Sequence, residues 1–116
     1  MGTFRYSAAL LLCCLACVQV EPITRDTIEH LLPKRDAVGA APARFEWTAA
    51  KNADEYAITV ENEVDVLIFE GRSRSTFIDW PKGNALDPGT YFWRVVGLSQ
   101  GRRVADSGRA AFVVSE

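Results

Sequence analysis

The stretch Leu86-Asp87-Pro88-Gly89-Thr90-Tyr91-Phe92-Trp93-Arg94-Val95 constrains the fold more than any other part of this chain. Asp-Pro-Gly sets a tight turn, because proline fixes one backbone angle and glycine tolerates positive φ. Directly after it, Tyr91, Trp93 and Val95 alternate with Phe92 and Arg94. A period of two is the pattern of a strand with one face on a core and the other toward solvent.

The same pattern runs from residue 43 onward. Phe45 and Trp47 alternate with Arg44, Glu46 and Thr48. Tyr56, Ile58 and Val60 alternate with Ala57, Thr59 and Glu61. Val66 to Phe69 is a short apolar run with Gly71 as its stop. Thr76 to Trp80 is another, ended by Pro81 and the Lys82-Gly83-Asn84 loop, with either Phe77 and Asp79 or Ile78 and Trp80 inward. Tyr91 to Leu98 is the longest strand. Gln100-Gly101 turns it back into Val104 to Val114, bent at Gly108. Residues 26–32 read two ways. Asp26 and Glu29 can cap a short helix ended by Pro33, or residues 28–32 can form a first strand. Gly39, Ala40, Ala41 and Pro42 read as a loop.

Strands separated by turn signals at about ten residues predict an all-β, antiparallel immunoglobulin-like sandwich of about seven strands. With 116 residues the chain holds one such domain. Phe45-Glu46-Trp47, Tyr56-Ala57-Ile58-Thr59-Val60 and the Leu86–Val95 stretch together resemble a fibronectin type III domain in its bacterial form, over residues 31–116. The resemblance implies two sheets of three and four strands. It also implies Trp47 in the core and Tyr91 as a tyrosine corner bonded back to backbone near Leu86. The expected core is Phe45, Trp47, Tyr56, Ile58, Val60, Tyr91, Trp93 and Val95.

The start of the chain is a separate matter. Arg5 precedes an unbroken apolar run from Ala8 to Val18. At ~1.5 Å rise per residue that run spans roughly 16 Å, about half of the ~30 Å hydrocarbon core. It has the proportions of a signal peptide, residues 1–16, followed by a linker over 17–30. Cys14 and Ala16 stand at the third and first positions before a cut that leaves Cys17 first. This resembles a bacterial lipobox, which implies lipidation of Cys17. Cys13, Cys14 and Cys17 are the only cysteines, so the folded part has no disulfide and no thiol chemistry. Ordinary cleavage without lipid, or retention of the segment, are the competing readings. Val18 after the cysteine favours the outer membrane over inner-membrane retention if the envelope is Gram-negative.

The residues offer little to catalysis. His30 is the only histidine and has no nucleophile in a recognisable arrangement, so a surface position is expected for it. No glycine-rich phosphate loop follows a strand. A net charge of -2 gives no basic footprint for nucleic acid. Glu61, Glu63 and Asp65 near a turn read either as oxygen ligands for Ca²⁺ or, without a dedicated loop, as a solvated turn. The expectation is no enzyme, no metal and no cofactor.

One surface stands out. With Tyr91, Trp93 and Val95 inward, Phe92, Arg94 and Val96 point out beside Arg109, Ala111 and Val113. Apolar residues among arginines suit a docking face. The alternative is that residues 21–40 fold over it. The functional expectation is a non-enzymatic envelope lipoprotein whose sandwich is a protein-interaction or assembly module, tethered to the membrane by lipid and bound to a protein partner of the envelope. The alternative is a secreted glycan-binding accessory module. That needs an exposed planar ring, for which Trp80 is the first candidate and Phe92 the second.

Overall fold

A computed structural model describes residues 27–116. The signal peptide, Cys17 and most of the expected linker lie outside the described residues. Within them are nine strands: β1 (His30–Leu32), β2 (Ala37–Gly39), β3 (Arg44–Trp47), β4 (Glu55–Asn62), β5 (Leu67–Ser73), β6 (Phe77–Asp79), β7 (Gly89–Ser99), β8 (Arg102–Asp106) and β9 (Ala110–Val114). A three-stranded sheet has the order β1-β3-β6. A six-stranded sheet has the order β2-β9-β7-β4-β5, with β8 also on β7. The two form an all-β immunoglobulin-like sandwich.

The core lies between the inner faces. Phe45, Trp47, Tyr56, Ile58, Val60, Tyr91, Trp93 and Val95 are all buried there, joined by Ile28, Ala110, Phe112 and Val114. Phe45 is edge-on to Trp93 and to Phe112, with centroids 5.0 and 5.7 Å apart. Such edge-to-face pairs add to the area each ring removes from water. The Tyr91 hydroxyl donates to the Asp87 carbonyl at 2.6 Å, one residue past Leu86.

Of the two readings of residues 26–32, the strand holds and the helix does not: Glu29 exchanges hydrogen bonds with Thr48, and His30 pairs with Trp47. Other elements differ from the sequence reading. The buried Ile28 belongs to the core, so the described fold includes the end of the stretch expected as linker 17–30. Gly71 does not stop β5, which runs on to Ser73. A Cβ on Gly71 would lie 2.9 Å from both Ile78 and Phe69, so the glycine admits the opposite sheet instead of ending the strand. Ile78 on β6 and Trp80 just past its end turn toward the core, while Phe77 and Asp79 face out.

The seven expected strands become nine for two local reasons. The expected strand Val104–Val114 is broken into β8 and β9 at Ser107–Arg109, where Gly108 has a φ of 72°. There the Ser107 hydroxyl takes the Val95 N–H at 2.8 Å, in place of a backbone carbonyl. The other addition is β2, in the region read as a loop from Gly39. It pairs in parallel with β9, Val38 opposite Val113.

Candidate functional site

The outer face of the six-stranded sheet is built by alternation. Register places Phe92 between Ala111 on β9 and Glu61 on β4, Arg94 beside Thr59, and Val96 beside Ala57. The next strand adds Glu70 and Arg72 opposite Thr59 and Ala57. The six expected docking residues thus share one face. It is more charged than alternation alone suggested, because β4 and β5 contribute Glu61, Glu70 and Arg72.

Both arginines of the expected patch are held. Arg94 Nε donates to Asp106 Oδ1 at 2.8 Å, and its terminal nitrogen makes a second bond to Oδ2. The fork of bonds from Arg94 holds the Asp106 carboxyl below its ordinary range and raises the guanidinium in turn. Arg109 lies 4.3 Å over the Phe92 ring and reaches Asp65 at 3.2 Å and Glu61 at 3.5 Å. Phe92 is therefore roofed by a guanidinium. Beside it, Ala57, Thr59 and Val96 floor a shallow groove of about 380 Å³ walled by Glu70, Arg72 and Arg103.

The acidic turn is occupied by the protein's own groups. Arg109 bridges Glu61 and Asp65, and the Asn62 side-chain oxygen accepts the Val64 and Val66 N–H groups at 3.0 Å. Among the described residues, no three His, Cys, Asp or Glu side chains are grouped to hold a metal ion. Residues 27–40 do not cover the outer face. Instead β2 lengthens the sheet beside β9, with Val38 exposed next to Val113.

His30 is half-buried. Its ring stands edge-on to Trp93 at 4.6 Å, and its Nε2 is buried with no hydrogen-bond partner among the described residues. Burial lowers its pKa, and the Arg35 charge adds to the effect; the backbone of Gly108 and Trp93 offsets it only in part. Trp80 is half-buried. Its ring packs 5.4 Å from Phe45 and 4.8 Å from Phe69, and its indole N–H is bonded to the Asn84 carbonyl.

Sequence reasoning found the face and missed what holds it. The bonds from Arg109 to residues 44 and more positions away carry no local signal. Neither does a second feature, an apolar groove between β1 and β2 lined by Leu31, Leu32, Val38 and Phe112.

Comparison with known proteins gives a likeness of fold. No protein-family model and no curated protein matches the chain. Among solved structures it is similar to CopC from Methylosinus trichosporium OB3b, at 19% identity and a TM-score of 0.55, over 76% of this chain and 93% of that one. At that identity the likeness speaks for the β-sandwich alone.

Proposed function

We propose that this chain is a non-enzymatic envelope lipoprotein, anchored through Cys17, whose fibronectin type III-like sandwich docks a protein partner on its outer sheet face. The observation that carries the reading is the fixed geometry of that face. Arg94 and Arg109 are pinned by carboxylates, and Phe92 lies under the Arg109 guanidinium. Arginine and aromatic residues dominate binding hot spots, and side chains ordered in advance lose less entropy on association. The leader and the confinement of all cysteines to it support the membrane location, with the outer membrane preferred in a Gram-negative envelope.

The glycan-binding alternative loses its best ring, since Trp80 is packed against Phe45 and Phe69. Phe92, its second candidate, has one side under Arg109.

Two measurements test the proposal. The protein extracted from native membranes should have the mass of a chain beginning at acylated Cys17; an unmodified chain would remove the anchor from the proposal. Phe92→Glu with Val96→Glu should abolish cross-linking to an envelope partner while the circular dichroism spectrum stays unchanged. Retention of the partner by the folded variant would place docking elsewhere.

A further inference from the structure

The six-stranded sheet ends at β5, which has no neighbour on its outer edge among the described residues. At seven residues it is the longer of that sheet's two terminal strands, against three in β2. A free edge of that length is a template for another strand unless its side chains forbid the pairing.

The main-chain groups that face this edge follow from the hydrogen bonds of the sheet. The Val95 N–H bonds the Ser107 hydroxyl and the Val95 carbonyl bonds the Ser107 N–H, so Val95 faces away from β4. Successive residues of a strand point these groups to opposite sides, so Arg94 and Val96 face β4. Thr59 and Ala57 lie opposite them and face β7, which leaves Ile58 and Tyr56 to face β5. The bond from the Asn62 N–H to the Val66 carbonyl at 3.0 Å keeps the same alternation. Gly71 and Ser73, opposite Ile58 and Tyr56, therefore spend their groups on β4. Glu70 and Arg72 turn theirs to the open edge.

The same two residues carry opposite charges on one face, beside Thr59 and Ala57. Glu70 makes no ion pair among the described residues, and Arg72 reaches only Glu55, at 3.4 Å, with its side chain 61% exposed. A second copy that extends the sheet with its outer face on the same side must pair through a two-fold axis at one residue, since directly opposed side chains share a face. An axis at Glu70 or at Arg72 opposes like charges, and an axis at Ser73 opposes Arg72 to Arg74. An axis at Gly71 sets Glu70 opposite Arg72 of the second copy, and Arg72 opposite its Glu70. These are also the positions whose N–H and C=O are free, so each pair exchanges both main-chain bonds as well as an ion pair.

We propose that two copies of this chain pair antiparallel through β5, about a two-fold axis at Gly71, into one continuous sheet. The contact is self-complementary and uses the same edge of both copies, so it closes as a dimer and does not propagate. Both outer faces then point the same way. The seam is short, which sets the association in the weak range of transient interfaces. It does not rest on the lipid at Cys17 or on docking at Phe92.

The test is sedimentation of the full chain, made in its native host and purified in detergent, at up to about 0.5 mM. The native chain should show a monomer–dimer equilibrium that loosens as salt is raised. Glu70→Arg alone and Arg72→Glu alone should each weaken it about tenfold, because each opposes like charges on both sides of the axis. The two together restore opposite charges and should recover the dimer, with circular dichroism unchanged throughout. A native chain that stays monomeric overturns the proposal. So does a dimer indifferent to salt, to the single reversals or to their combination, because its contact then lies elsewhere.

Discussion

The ring of His30, edge-on to Trp93 with Nε2 shut away from water, ties the stability of the fold to pH. Its folded pKa lies below the ordinary 6.5, so the unfolded chain binds the proton more readily. Stability therefore falls as pH drops from about 6.5 toward the lower folded value, and rises again on return. Asp106 acts in a separate, more acidic window. Its folded pKa is held below 3.8 by Arg94, so its contribution is present above that value and lost as pH falls through the folded pKa. Thermal midpoints measured between about pH 7 and about pH 5 should decline for the native chain and stay level for His30→Gln. An equal decline in both would assign the effect to carboxylates. Nothing in the sequence marked this residue as half-buried, because a lone histidine beside two leucines has no periodic pattern around it.

Among the elements, β4 and β7 were legible, β1 was one of two open readings, the interruption at Gly108 was read only as a bend, and β2 was not legible, for a physical reason. Central antiparallel strands with one buried face must alternate, and eight or eleven residues give the alternation room to show. Three-residue strands such as Ala37-Val38-Gly39 leave no periodic trace. Their placement depends on a partner far along the chain, here Phe112 to Val114. The candidate face was legible to the same extent. Phe92, Arg94 and Val96 follow from the period of β7, while the grip of Glu61 and Asp65 on Arg109 does not. At the break, Ser107 stands in for a missing ladder partner of Val95, and its N–H also bonds the Val95 carbonyl at 2.8 Å. Ser107→Ala would strand a buried N–H and should cost about 1–3 kcal/mol in urea unfolding. A loss within error would mean that water or a shift of β8 replaces the hydroxyl.

At the scale of the whole molecule, the described chain enters and leaves at opposite poles. Trp47, Glu55 and Leu98 share one pole with Thr27, while Asn62, Gly89 and Val114 share the other. Between them β2 and β9 run parallel, joined by the Asp36 N–H to the Ala111 carbonyl at 2.7 Å and the Ser115 N–H to the Gly39 carbonyl at 2.8 Å. A pull on the two ends drags these strands in opposite directions along their shared axis. Their hydrogen bonds then bear the load together and must fail together, as a lap joint does. Attachment at residues 40 and 116 would instead peel the pair from one end, one bond at a time. Single-molecule stretching should show a sharp, high rupture from residues 27 and 116, and a lower one from residues 40 and 116. Equal forces would place the resistance elsewhere in the sandwich. A parallel contact of three residues, too short to be read in the sequence, thus decides how the domain resists a pull along its length.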